Sequence, residues 1–149
     1  MTGIKFSPIQ FTLDIISRKW SIEILECLHS GRKRYSDLLE LNDQLSSKVL
    51  SERLKDLYEL GIIDKIVMNI IPMKAKYQLT KKGELLIPIL LEMALFSSLN
   101  FPDNIFNQSN DFRNEFYSYF NRTFNLNIEE LKYLDQRYDE YFSEKKLDT

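Results

Sequence analysis

The feature that most restricts the fold of this chain is a change in the spacing of its apolar residues at Gly61. Before Gly61, apolar residues recur at steps of three and four, which is the period of an amphipathic helix. After it, residues 62–71 and 75–79 form two extended runs separated by Pro72, a pattern typical of a hairpin. Helical spacing returns beyond residue 84. The pattern predicts a mainly α fold with a small β-hairpin.

Start and stop signals divide the helical part before the hairpin into three predicted helices. The first ends at Gly31, the second is short and begins near Ser36, and the third covers residues 46–60, between an N-cap at Ser46 and a stop at Gly61. The apolar stripe of the first helix consists of Leu13, Ile16, Trp20, Ile24, Cys27 and Leu28. Beyond the hairpin, one further helix presents a broad apolar face made of Leu85, Leu86, Ile89, Leu90, Met93 and Phe96.

The last third of the chain differs in composition from the rest. Residues 1–83 carry 14 basic and 10 acidic side chains (+4), whereas residues 84–149 carry 6 and 12 (−6), which together give the net charge of −2. Residues 100–110 are polar and contain Pro102, so they are predicted to link two domains. We predict a domain over 1–100 that includes dimerisation helices, and an aromatic-rich, acidic helical extension over 101–149.

Several function classes lack the residues they need. One cysteine and one histidine cannot form a disulfide or a Cys/His zinc site, and four glycines provide no phosphate-binding loop. No nucleophile–base pair is recognisable, so no enzyme and no cofactor are predicted. The N-terminus lacks a signal-peptide pattern, and the apolar run at 85–95 is interrupted by Pro88 and Glu92. We therefore expect a cytoplasmic protein without a membrane partner.

The order helix, short helix, turn, helix, hairpin, helix is that of a winged helix-turn-helix, in which the second helix of the turn unit enters the DNA major groove. If the leucines of residues 46–60 face inward, a polar surface of lysine, serine and glutamate faces outward. Basic residues precede the turn unit and lie on the hairpin at 62–80, the predicted wing, where they can contact phosphates. The candidate DNA-binding residues are Arg32, Lys33, Arg34, Ser46, Ser47, Lys48, Ser51, Glu52, Lys55, Lys65, Lys74 and Lys76.

Three motifs occur in order along the first two-thirds of the chain: Lys19-Trp20, Arg34-Tyr35-Ser36-Asp37-Leu38, and Tyr77-x-Leu79-Thr80-x-x-Gly83. With them, the stretch from Ser7 to about Asn100 resembles the HxlR-type winged-helix transcriptional regulators, relatives of the MarR group. The resemblance implies a DNA-binding homodimer, paired through its N-terminal region and the helix near 84–99. Such a dimer is expected to bind a palindromic operator with half-sites ~34–36 Å apart.

The chain departs from the resembled family at three places. Many relatives carry a redox-sensing cysteine before the first proline, where this chain has Ser7, so thiol sensing at that position is excluded. The usual Gly-Gly before Lys-Trp is Ser17-Arg18. In the hairpin, Met73 and Lys74 replace a proline and an arginine. The resemblance does not extend to the residues beyond 100.

Four alternatives stay open at this point. The polar face of 46–60 could be an ordinary solvated surface, and Glu52 could either accept from a cytosine amino group or repel phosphate. The whole domain could be a winged-helix protein-interaction module that does not bind DNA. The phenylalanines recurring over 112–124 could line a pocket for a small-molecule effector, or simply pack against neighbouring helices.

Overall fold

The computed structural model describes residues 6–106 and 111–147, with side chains described as far as Glu144. The chain divides into two compact units, the N-terminal unit ending at Pro88 and the C-terminal unit beginning at Ile89. Glu92, in the helix where the two units meet along the chain, accepts a hydrogen bond from the Tyr133 hydroxyl. The C-terminal unit therefore begins before residue 100. The boundary at residue 100 between a winged-helix domain and a helical extension stays a prediction.

The N-terminal unit contains helices and a three-stranded antiparallel sheet in the strand order β1-β3-β2. Its elements are α1 (Pro8–Ile16), α2 (Ser21–His29), β1 (Lys33–Arg34), α3 (Tyr35–Leu39), α4 (Ser47–Glu59), β2 (Ile63–Met68), β3 (Lys74–Leu79) and α5 (Lys81–Glu84). Helix α6 (Leu86–Asn100) follows, and then come α7 (Pro102–Ile105), α8 (Phe112–Phe124) and α9 (Ile128–Leu147). The mainly α fold with a small hairpin wing is confirmed.

The first predicted helix is wrong as a single element, because the chain breaks between α1 and α2. Trp20 adopts a left-handed backbone conformation with φ 73°, yet its side chain is only 8% exposed. The apolar spacing continues across the break, so the pattern alone did not reveal it. Two side chains of α4 hold the break in place: Arg18 pairs with Asp56 at 2.7 Å, and Arg53 Nε donates to the Lys19 carbonyl at 3.2 Å.

The start of the short helix also differs from the prediction. Helix α3 begins at Tyr35 and not at Ser36, with Arg34 in the N-cap position. The Asp37 carboxylate accepts a 2.7 Å hydrogen bond from the Arg34 backbone N–H, which satisfies one of the free donors at this end of the helix. Lys33 and Arg34 form β1, a strand that was not predicted because two charged residues carry no strand pattern.

Local signals set both ends of α4 as predicted, whereas the single helix predicted beyond the hairpin is divided into α5 and α6. The Ser46 hydroxyl accepts from the Val49 N–H at 3.3 Å, and Gly61 with φ 68° ends α4 in a Schellman arrangement. Thr80 caps α5 by accepting from the Gly83 N–H at 3.1 Å. A Cβ at Gly83 would lie 2.2 Å from the Ile62 carbonyl oxygen, so only glycine allows α5 to approach β2 this closely.

Four of the six residues of the apolar face predicted beyond the hairpin are exposed. Leu86 and Leu90 are buried, whereas Leu85, which precedes α6, and Ile89, Met93 and Phe96 are 71%, 42%, 44% and 60% exposed. The continuous segment Lys81–Asn100 has a mean hydropathy of 1.3 and the length of a membrane-spanning helix. Since 44% of that stretch is buried inside the protein, it equally resembles a helix of a protein core. Much of the apolar surface of α6 is therefore exposed, although the ring of Phe96 contacts that of Phe101.

The C-terminal unit is built on aromatic packing. Phe116, Phe120 and Phe124 of α8 are at most 1% exposed, and the rings of Phe120 and Phe124 stack with centroids 5.9 Å apart. The Arg113 guanidinium lies over the rings of Tyr117 and Tyr138. The phenylalanine stripe is thus used for packing and not to line a pocket. Part of the predicted linker forms α7, while 107–110 lie outside the described residues.

Candidate nucleic-acid interface

Helix α4 has the two faces that the sequence predicted. Leu50, Leu54 and Leu57 are at most 3% exposed and belong to the core of the N-terminal unit. The side chains on the other side are all exposed, namely Ser47, Lys48, Ser51, Glu52 and Lys55. Exposure leaves their hydrogen-bonding groups available to a partner. Ser46 is also exposed, but its hydroxyl is engaged in capping the helix.

Tyr35, which was not predicted as a site residue, orients the hydroxyl of Ser51. The Tyr35 hydroxyl donates to the Ser47 carbonyl at 2.8 Å and lies 2.9 Å from Ser51 Oγ. Because a phenol has one proton and the carbonyl takes it, Ser51 must donate its own proton to Tyr35. Ser51 therefore presents accepting lone pairs to its surroundings. The tyrosine within the Arg34–Leu38 motif was the sequence signal for this contact.

A cavity lies between the exposed face of α4 and the hairpin. Its volume is about 450 Å³, and it is lined by Tyr35, Ser51, Leu54, Lys55, Tyr58, Lys65 and Tyr77. Lys55 of α4 and Lys65 of β2 thus border the same concavity. Two of the predicted cationic residues from separate elements are brought together on one surface.

The remaining predicted cations are divided between the two faces of the sheet. Strand pairing sets Arg34 opposite Lys76 and Lys33 opposite Tyr77, and Lys65 also lies opposite Tyr77. Since successive side chains alternate and paired residues share a face, Lys33 and Lys65 are on the face of Tyr77. The other face carries Arg34, Lys74 and Lys76, with Arg32 beside them through a 2.8 Å bond from its Nε to Gln78 Oε1.

Most of these cations lack an acidic partner. In the described part of the chain, no carboxylate oxygen lies within 4.0 Å of the charged nitrogens of Arg32, Lys33, Arg34, Lys48, Lys65, Lys74 or Lys76. Lys55 reaches Glu59 only at 3.9 Å, with both side chains more than 60% exposed. Arg34 and Lys76 stand directly opposite each other, which costs stability unless an anion lies between them. The surfaces that carry these cations are therefore suited to a polyanion.

The buried side of α4 is anchored by charges of a different kind. Asp56 Oδ2 accepts from Arg18 Nη1 at 2.7 Å and from Arg53 Nη1 at 3.2 Å. Arg53 also holds the Lys19 carbonyl, so α4 is tied to the turn before α2. Sequence reasoning missed this cluster, because its members lie more than 30 residues apart. This cluster fixes the orientation of α4, whose opposite face is exposed.

Other reactive groups in the described ranges do not assemble into a site. No group of three or more His, Cys, Asp or Glu residues that could hold a metal occurs there. Burial raises the pKa of the Cys27 thiol, which disfavours the reactive thiolate. Ser7, at the position of the relatives' cysteine, serves as the N-cap of α1 by accepting from the Gln10 N–H.

Comparisons with known proteins agree with this architecture. Residues 15–104 match the family model described as HxlR-like helix-turn-helix. The uncharacterized HTH-type regulator sll1512 of Synechocystis is 38% identical over 86 residues, which are 58% of this chain and 64% of that protein, slightly under two-thirds. The HTH-type transcriptional regulator YodB of Bacillus subtilis is 32% identical over 85 residues, 57% of this chain and 76% of YodB.

Solved structures show the same fold. The crystal structure of the putative regulator YtcD has a TM-score of 0.60 at 34% identity and covers 62% of this chain and 95% of that one. Reduced YodB of B. subtilis also has a TM-score of 0.60, at 29% identity, over 64% and 95%. These relatives are described as transcriptional regulators and not as enzymes. A family model that matches most of the chain, joined to this fold, shows that the protein belongs to the HxlR-like helix-turn-helix family.

Proposed function

We propose that this protein is a transcriptional regulator that binds double-stranded DNA as a homodimer, with α4 in the major groove and the β2–β3 hairpin as the wing. The observation that carries the proposal is the cationic cavity shared by α4 and the hairpin, where Lys65 has no acidic partner among the described side chains and Lys55 reaches Glu59 only at 3.9 Å. Family membership supports the same function. Such a regulator acts in the cytoplasm, where it has access to DNA, and needs no cofactor.

The exposed face of α4 combines two kinds of hydrogen-bonding group. Lys48 donates to guanine edges or phosphates, while Ser51 and Glu52 can only accept in the geometry described here. In the major groove, accepting side chains match the amino groups of adenine and cytosine. We therefore expect each half-site to contain an adenine or cytosine opposite Ser51.

Phosphate contacts supply the affinity that does not depend on sequence. The logarithm of the binding constant should fall with the logarithm of salt concentration, by ~0.9 for each phosphate neutralised. A steep slope supports DNA binding through the unpaired cations. A partner complex that is insensitive to salt, with no retention on DNA, would instead support the protein-interaction alternative.

The homodimer is supported by apolar side chains that α1 and α6 leave exposed. Ile9 and Phe11 of α1 are 75% and 48% exposed, and α6 exposes Ile89, Met93 and Phe96 at helical spacing. Exposed apolar side chains of this kind, which each of the two helices presents, are typical of an interaction site. Sedimentation analysis should find a dimer for the wild type and a monomer for Met93→Glu. A wild-type monomer at micromolar concentration would contradict the dimer.

Selection of random DNA fragments, followed by titration of single variants, tests the proposed interface. The selection should return a palindrome with half-sites one helical turn apart, ~34–36 Å. Lys48→Ala should weaken binding to that operator about tenfold and lower the salt slope by ~0.9. Lys132→Ala, an exposed lysine of α9, is the matched control and should change neither quantity. Equal losses for the two variants would refute the assignment of the face.

A cavity next to α4 offers a place for the proposed small-molecule effector. Its volume is about 360 Å³, and Phe11, Ile15, Arg18, Ser21, Arg53 and Leu57 contribute to its lining. The Ser21 hydroxyl is buried and has no hydrogen-bond partner in the described part of the chain. A ligand there would touch the residues that anchor α4. Compounds that raise the Tm of the wild type and not of Ser21→Val would identify this cavity as the effector site.

A further inference from the structure

The turn between β2 and β3 presents an apolar surface at the end of a cationic hairpin. Within residues 70–73, here named the wing tip, Ile70 is 46% exposed, Ile71 102% and Met73 78%. Val67, on the adjoining strand, is 50% exposed. The tip includes one of the places where this chain departs from the family it resembles, since Met73 stands where a proline is usual.

An apolar tip of this size costs solubility unless a partner covers it. From Asn69 to Lys76 the chain contains no acidic residue, and Lys74 follows the tip directly. Lys65, further along β2, borders the same cavity as Lys55 of the recognition helix. The partner of the tip must therefore combine a negatively charged exterior with an apolar interior.

The hairpin extends beyond the surface that it shares with α4. Lys65 lines a cavity together with Lys55 of α4, and β2 continues for three residues beyond Lys65, to Met68. At ~3.3 Å per residue this adds ~10 Å, and the turn of the wing tip follows the end of the strand. In B-DNA the minor groove next to a major-groove site lies half a turn away, ~17 Å along the axis.

We propose that the wing tip inserts as an apolar wedge at a base step in that minor groove and bends the DNA. This inference rests on the proposed DNA-binding function and adds a deformation of the operator to it. Apolar side chains such as isoleucine, methionine and proline partly unstack a base step in this way and kink the duplex by ~20–90°. Lys74 and Lys76, on the strand that follows the wing tip, are positioned to contact phosphates beside the kink.

A wedge of this type contributes specificity without base hydrogen bonds. Steps such as TA and CA unstack more easily than others, so the operator should prefer them half a turn from each half-site centre. A wing that only carried positive charge would contact phosphates and would not by itself favour TA or CA steps. The wedge therefore implies sequence preference at positions that α4 does not contact.

The test compares three variants of the full chain on the selected operator. Bending is measured by energy transfer between dyes at the two ends of the DNA, and unstacking by 2-aminopurine fluorescence at the flanking step. The wild type should bend the operator by at least ~20° per half-site and increase the 2-aminopurine signal. The double variant Ile71→Ser, Met73→Ser should lose both effects and bind ~10-fold more weakly, with the same salt slope.

Two controls separate the wedge from charge and from general loss of apolar surface. Lys74→Ala should keep the bend but lower the salt slope by ~0.9. Ile128→Ser removes an apolar side chain that is 73% exposed in the C-terminal unit, and it should leave bend and affinity unchanged. Circular dichroism and Tm verify that each variant is folded.

The outcomes distinguish failure of the wedge from failure of the proposed function. Straight DNA in the wild-type complex, or full bending by the double variant, overturns the wedge while DNA binding stands. If the double variant binds and bends DNA normally but loses binding to phosphatidylserine vesicles, the tip is a membrane contact and the wedge is wrong. Absence of any wild-type binding to DNA overturns both the proposed function and the wedge.

Discussion

The two units of this protein use their charged side chains in opposite ways. In the C-terminal unit, arginines hold the structure together: Arg137 contacts Glu92 at 3.4 Å, and Arg113 lies over Tyr117 and Tyr138. In the N-terminal unit, Arg18 and Arg53 have this role beside α4, but most cations of its outer surface have no acidic partner in the described ranges, and Lys55 reaches Glu59 only at 3.9 Å. Cations that do not stabilise the fold are available to a ligand. The contrast supports the proposed DNA surface better than the net charge of −2 does, because that total averages over both units.

The largest expected effect concerns the aromatic packing that distinguishes the C-terminal unit. Phe120 is completely buried and contacts the rings of Phe116, Tyr119 and Phe124. Phe120→Ala should lower the free energy of unfolding by about 3–5 kcal/mol, because it removes a large side chain and leaves a cavity. Chemical denaturation measures the loss. Ile128→Ala, at an exposed position, is the control and should cost less than about 0.5 kcal/mol.

A small loss for Phe120→Ala would contradict the description of the C-terminal unit as an aromatic core. It would also reopen the interpretation of the phenylalanine stripe as the lining of a ligand pocket. A large loss leaves the N-terminal unit as the place where exposed functional groups are found.

The second effect comes from a half-buried acid of the N-terminal unit that has no cationic partner among the described side chains. Burial, together with the neighbouring Glu23 carboxylate, raises the pKa of Glu26 from 4.5 to about 7. Because the folded state disfavours the ionised form, the contribution to stability is complete below pH 4.5 and is lost as the pH rises through about 7. Glu26→Gln should therefore raise the free energy of unfolding at pH 8, by about 1.5 kcal/mol after allowance for solvent screening.

Denaturation at pH 5 and pH 8 checks this prediction. The gain from Glu26→Gln should be present at pH 8 and largely absent at pH 5. Glu129→Gln, an exposed acid in the first turn of α9, should not produce that pattern. A gain of equal size at both pH values would show that ionisation of Glu26 is not the cause.

Local signals predicted α4 and the hairpin because their ends depend on residues close in sequence, such as Ser46 and Gly61. The break between α1 and α2 depends on Arg53 and Asp56, which lie far along the chain from the residues they hold. Strand β1 exists only through its pairing with β3. Sequence spacing cannot reveal elements that distant partners create.

Contacts between residues far apart in sequence also limited what could be predicted of the candidate site. The exposed face of α4 followed from the positions of its leucines, and all of its predicted members are exposed. The division of the hairpin cations between two faces required the strand register. The role of Tyr35 required the fold, since its partners Ser47 and Ser51 belong to another helix.

The third effect tests that role of Tyr35 in the polar network of the N-terminal unit. Tyr35→Phe removes the hydroxyl to which Ser51 donates, so Ser51 becomes free to donate elsewhere as well as to accept. Discrimination at the base opposite Ser51 should fall by about 1 kcal/mol, while the salt slope stays unchanged. Competition binding with operators altered at that base pair measures the change. Tyr133→Phe in the C-terminal unit is the control, and discrimination lost equally in both variants would contradict the orienting role.

The smallest effect tests the contrast between the units most directly, because stability and binding should change in opposite directions. Arg34 and Lys76 are paired across β1 and β3, and neither has an acidic partner among the described side chains. Arg34→Gln removes one of two like charges without introducing a favoured N-cap residue, and it should raise the free energy of unfolding by about 0.5 kcal/mol, while weakening DNA binding and lowering the salt slope. Arg137→Gln, in the C-terminal unit, should lower stability and leave the slope unchanged, since Arg137 contacts Glu92. If Arg34→Gln destabilised the protein as well, the charge of Arg34 would be structural and would not be kept for an anionic partner.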